Sequence, residues 1–161
     1  MIARRGHLRV TAAGALMVLL IASGIWLFWD TASRREADRA GSEAVQAARD
    51  SIVEMFSYQP DTADQKLNAA RGRLTGPFLE SYNQLIQTVV IPSAKQKKIT
   101  AAAKVPAAAA VSAGADHAVV LAYVDQTLAL GTAPPTRTNS SVRVTMENVD
   151  GVWLISGFDP I

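Results

Sequence analysis

Cysteine is absent from all 161 residues, which excludes disulfides, thiol nucleophiles, cysteine-type zinc sites and acylation of a lipobox cysteine. Histidine is nearly absent too. His7 and His117 stand alone, and neither a His-x-x-x-His pair nor a dense acidic loop offers a metal its ligands. Glycine-rich phosphate loops are missing, so nucleotide chemistry has no cradle. Acidic residues are lacking before residue 30, where Arg4, Arg5 and Arg9 occur without a counter-charge. From residue 30 onward 13 Lys and Arg face 14 Asp and Glu, so the net charge of +2 belongs to the N-terminus. The rest of the chain offers no broad positive field, and nucleic acid is excluded as a partner. The length suits one domain of ordinary size plus a short appendage.

What is present begins with an uncharged run of 20 residues, Val10 to Trp29. As a helix rising 1.5 Å per residue it would span about 30 Å, the thickness of a bilayer core. Trp26, Phe28 and Trp29 crowd its end, where amphipathic rings favour the headgroup level, and Asp30 follows as the first acid. Arg34, Arg35 and Arg39 balance the arginines before the run, but an arginine cluster directly ahead of it has the form of a signal anchor. The expected topology is an N-terminus in the cytoplasm, one pass through the cell membrane and an extracytoplasmic (periplasmic-side) domain. A cleaved signal peptide is the rival, with Thr31-Ala32-Ser33 or Ala22-Ser23-Gly24 as the site. The run holds no charge and no Gly-x-x-x-Gly pair, so it reads as a tether. The segments are then a tail 1–9, a transmembrane helix 10–29, a juxtamembrane amphipathic helix 30–58 and the remaining α+β domain 59–161.

Beyond Asp30, Ala37, Ala40, Ala44, Val45, Ala48, Ile52, Met55 and Phe56 recur at intervals of three and four, which predicts the amphipathic helix up to Gln59-Pro60. Asp61 or Thr62 is placed to cap a second helix through about Leu74. A third starts at Pro77, puts Phe78, Tyr82, Leu85, Ile86 and Val89 on one side, and ends or kinks at Pro92. Ile99 to Ala113 is rich in alanine yet interrupted by Pro106, and reads as an irregular edge strand beside the β-rich stretch His117 to Leu130. Gly131 to Asn139 reads as a loop. Val142, Val144 and Met146 alternate with Arg143, Thr145 and Glu147, Asp150-Gly151 supplies a turn, and Val152 to Phe158 returns as an apolar strand. Trp153 and Phe158 are expected in the core. Three helices followed by about four strands predict an α+β domain with helices on one face of a curved antiparallel sheet.

Chemistry-bearing residues are sparse. His117 beside Asp116, with Asp125 further along, is the one pair that could act as base and orienter, though no nucleophile motif accompanies it. Lys95, Lys97 and Lys98 fit a helix C-terminus, where cations are favourable through the dipole alone. Trp153 could line a ligand cavity or fill the core. No catalytic, cofactor-binding or metal-ligating residue is assigned, no cofactor is expected, and the chain is not expected to be an enzyme.

The order of parts resembles the Mce-associated membrane proteins of bacteria, which accompany multi-subunit Mce lipid importers. The resemblance rests on the anchor Val10 to Trp29, the Ala-rich helix around Ala40 to Phe56, the stretch Leu74-Thr75-Gly76-Pro77-Phe78-Leu79-Glu80-Ser81-Tyr82, and the ending Val142 to Met146 through Asp150-Gly151-Val152-Trp153. It implies a cone of the nuclear-transport-factor-2-like class outside the membrane and an accessory, protein-binding role that assembles or stabilises a lipid or sterol importer. Mce transporter subunits and the lipid bilayer are the implied partners. Two alternatives stay open: a secretion or conjugation scaffold component similar in layout to VirB8, and a small-molecule (lipid) binding cone, in which His117 and Asp116 are the residues to suspect.

Overall fold

Residue spacing and local breakers account for each element of the computed structural model, which describes residues 35–161. Residues 38–161 pack as one compact unit. The tail 1–9 and the transmembrane helix expected over 10–29 lie outside the described residues, and no helix among the described ones is long and apolar enough to cross a membrane.

Helix α1 (residues 35–56) buries Gly41, Ala44, Ala48, Ser51, Ile52 and Met55, the three-and-four spacing of one helical face. Ser51 is tolerated there because its hydroxyl donates to the Ala47 carbonyl at 2.7 Å. The stripe is small for a reason: a Cβ added at Gly41 would lie 3.3 Å from the Ala113 Cβ and 3.4 Å from that of Ala110. Helix and strand backbones approach as closely there as alanine permits.

Helix α2 (Ala63–Ala70) buries Ala63, Leu67 and Ala70, and a 3₁₀ turn, Arg71–Arg73, follows it. The side-chain cap expected from Asp61 or Thr62 does not form. Thr62 sits at φ −112°, ψ 1°, away from the extended geometry that aims a capping oxygen, and its carbonyl instead accepts from the Lys66 N–H at 2.9 Å.

Of the two outcomes expected at Pro92, an end or a kink, the third helix rules out the end. It comprises α3 (Gly76–Leu85), a π-helical segment (Ile86–Val90) and α4 (Ile91–Lys97), so it runs past the proline. Pro92 has no N–H, and its ring crowds the carbonyl of Thr88, four residues back. A local π stretch opens the ladder there without breaking the helix. Lys98, left-handed at φ 51°, ends it.

Strands β1 (Ile99–Ala113), β2 (His117–Leu130), β3 (Thr136–Val149) and β4 (Val152–Pro160) form one antiparallel meander in chain order. The edge strand expected over Ile99–Ala113 is there, with register breaks between Lys104 and Ala107, across Pro106, and between Ala110 and Ser112. Its alanines favour helix, but the proline forbids one and β2 offers a continuous ladder. The expected loop Gly131 to Asn139 is shorter: β3 starts at Thr136, opposite Leu128, once the two prolines are passed. Asp150 and Gly151 take φ 52° and 85°, two positive values that match a tight hairpin turn.

Both edges are partly covered. Tyr58 exchanges two backbone hydrogen bonds with Ala101, each 2.9 Å, the Arg49 guanidinium donates to the Val105 carbonyl at 2.6 Å, and the Thr75 N–H donates to the Ile155 carbonyl at 2.9 Å. The helices lie on the sheet face that carries Ala118, Val120, Ala122, Val124, Val142, Val144, Met146, Trp153 and Ile155, all buried, so both Trp153 and the alternating β3 positions fill the core as expected.

Candidate functional site

Of the seven aromatic residues after Trp29, five meet in one place: Phe56, Tyr58, Phe78, Tyr82 and Phe158. They line a cavity of about 400 Å³ between the three helices and the end of the sheet where β2 finishes. Phe56 comes from the last turn of α1, Phe78 and Tyr82 from one face of α3, and Phe158 from β4. The Phe158 ring lies 5.5 Å from Phe56 and 6.2 Å from Phe78, centroid to centroid, the second pair nearly parallel at 17°. Ile86 and Val90 of the π segment, Leu67 of α2 and Leu128 of β2 complete the wall.

The polar contribution is small. Ser81 and Gln126 supply a hydroxyl and an amide, the two tyrosines their phenols, and among the described residues no charged side chain lines the cavity. The Tyr82 hydroxyl reaches the Leu67 carbonyl at 3.4 Å, a long hydrogen bond. Burial, with a smaller contribution from neighbouring Tyr58, pushes the Tyr82 phenol well above the ordinary tyrosine range, and burial moves Tyr58 in the same direction. Both therefore stay neutral at physiological pH. Leu85, 51% exposed, stands at the mouth. Such a surface can hold an uncharged, apolar body.

The residues singled out from sequence lie elsewhere. His117 is exposed at the start of β2, opposite Glu147, and Asp116 gives its carbonyl to the Asn148 N–H at 2.9 Å. Asp125 is on the same face of β2 but eight residues along, about 26 Å away for an extended strand, so the structure separates it from His117. It accepts from the Asn139 amide instead. The lysines at the end of α4 divide: Lys95 pairs with Asp64 of α2 at 3.2 Å, while the Lys98 carbonyl accepts from the Gly131 N–H at 3.0 Å. Trp153 belongs to the core and not to the cavity wall. Its indole N–H is buried without a partner among the described residues, a cost of about 1–3 kcal/mol. Among the described residues no group of three or more His, Asp or Glu could hold a metal ion.

No protein-family model matches the chain. A curated relative does: outer membrane protein Rv1973 of Mycobacterium tuberculosis strain H37Rv is 49% identical over 156 residues, which covers 95% of this chain and 98% of the relative. The chain belongs to the Rv1973 family. Solved structures extend the likeness of this Rv1973-family domain to fold alone. The periplasmic domain of DotI superposes with a TM-score of 0.64 at 20% identity, over 74% of this chain and 94% of that one. Agrobacterium tumefaciens VirB8 gives 0.59 at 14% identity, over 72% and 88%. The three-helix, four-strand arrangement of the Rv1973-family domain is thus the VirB8-like one.

Proposed function

We propose that this Rv1973-family protein is a non-catalytic, membrane-tethered accessory protein that assembles or stabilises an Mce-type lipid or sterol import complex in the cell envelope. The observation that carries the reading is its identity to a protein named for a membrane location along nearly the full length of both chains. The apolar run Val10 to Trp29 supplies the tether, and the near-neutral composition that follows suits a domain that meets other proteins. The layout that resembles the Mce-associated proteins names the complex.

A crosslinked pull-down from detergent-solubilised membranes, with the full chain tagged at its C-terminus, tests this. Enrichment of importer permease and substrate-binding subunits is the expected result; recovery of no transporter subunit overturns it. The VirB8-like fold favours a second reading, a scaffold component of a secretion or conjugation apparatus. Recovery of secretion-apparatus subunits in the same experiment would decide for it.

A further inference from the structure

We infer that the aromatic cavity between the helices and the β2 end of the sheet binds the hydrocarbon part of a single lipid molecule. This goes beyond the accessory role, which needs only a protein-binding surface. The cavity opens to the surface and offers about 400 Å³ lined almost wholly by apolar and aromatic side chains, which gives an apolar body a site that leaves the packed core undisturbed. Its volume falls in the range of small-molecule sites, roughly 300–1,000 Å³. Helices are about 10–12 Å across, so a peptide occupant could insert about one turn, too little for a helix-in-groove contact.

The lining chooses the chemistry. With no Lys, Arg, Asp or Glu among the described residues of the wall and both phenols neutral, a charge drawn inside would find no partner there, so a charged headgroup remains at the mouth. The mouth is itself apolar at Leu85, and Val89 on the next turn is equally exposed, at 51%. An aliphatic chain and a fused-ring sterol share the apolar surface that this wall accepts and differ in shape and rigidity, which the two arms of the test distinguish. Gln126 and Ser81 are the groups that would meet a neutral hydroxyl or ester.

The test is photolabelling of the full chain in nanodiscs, with a diazirine-bearing palmitic acid in one arm and a diazirine-bearing cholesterol in the other, and adducts located by peptide mass spectrometry. Adducts are expected on Phe56, on residues 78–90 and on Phe158, competed by the unlabelled compound, and the arm with the higher yield identifies the hydrocarbon. Leu85→Asp, at an exposed position where folding is tolerant, should lower that labelling by at least about tenfold. Gln126→Trp, which fills the cavity from the opposite wall, should do the same, and Leu121→Asp on the other face of the sheet should not. Adducts confined to residues 10–29, or equal labelling in Leu85→Asp and the unaltered chain at unchanged melting temperature, overturn the proposal. The pull-down is independent: labelling can succeed where no importer subunit is recovered, and the reverse.

Discussion

The two ends of the helix-covered sheet face are built on opposite plans. Where β1 finishes, α1 presents Gly41 to Ala110 and Ala113, so near that an added Cβ would be tighter against them than most real contacts. Where β2 finishes, Phe56, Phe78, Tyr82 and Phe158 stand between the layers and help to line an open cavity of about 400 Å³. The same sheet thus carries an end closed by absent side chains and an end held open by large ones. Small residues bring backbones together but contribute little apolar area; rings contribute area but tile poorly, because preferred stacking angles leave gaps between them.

Truncating Leu67, which is buried against the open end, should have the largest effect, since Leu67→Ala enlarges a hollow that already exists. A loss of about 2–5 kcal/mol, read from urea midpoints, is expected. At the closed end the comparison predicts the reverse sensitivity, to added volume. Gly41→Leu should cost about 1–3 kcal/mol by overpacking against Ala110 and Ala113, by the same measurement, although leucine is the better helix former.

Alkaline titration separates the ends without changing volume. In the unfolded chain Tyr82 loses its proton near pH 10, whereas burial in the folded chain holds it to higher pH. The folded state therefore binds more protons above about pH 10, so stability is intact below that value and falls as pH rises beyond it. Tyr82→Phe should flatten the fall above about pH 10 and leave a remainder from Tyr58. Its cost at neutral pH should stay below about 1 kcal/mol, because the hydrogen bond it removes is 3.4 Å long. The smallest effect belongs to the rim: Leu85→Ala should leave stability within about 0.5 kcal/mol of the unaltered chain, as measured by denaturant titration.

Both ends were legible in the sequence only in part. The three-and-four spacing of α1 predicts its buried face, though it does not single out Gly41, and the alternation in Val142 to Met146 marks which β3 residues face inward. The cavity, by contrast, collects residues from α1, α2, α3, the π segment, β2 and β4, and only the stretch from Phe78 to Ile86 is joined by a spacing that sequence shows. The other available signal was the crowding of aromatics onto the flanks of Pro60, onto Phe78 and Tyr82, and onto Phe158. Periodicity correctly put Phe78, Tyr82, Leu85 and Ile86 on one side of the third helix, the side that lines the cavity, and failed only for Val89, where Val90 takes the place in the wall because the π segment beginning at Ile86 departs from a uniform pitch. His117 and Asp116 attracted notice for their chemistry, yet strand geometry holds them away from both Asp125 and the cavity.

That π segment also bears on how such a chain can change. An α-helix turns 100° with each residue, so an insertion or deletion inside one ordinarily rotates everything beyond it out of register. Here the wider turn stores one residue's worth of slack between two anchors, Tyr82 on one side and Ile91 with Ala94 on the other. Removal of a single residue from Ile86–Val90 would restore α pitch and keep both anchors in phase, while it re-aims the side chains between them. Relatives can therefore differ by one residue at this point, and so differ in the cavity wall, without any change to the rest of the fold.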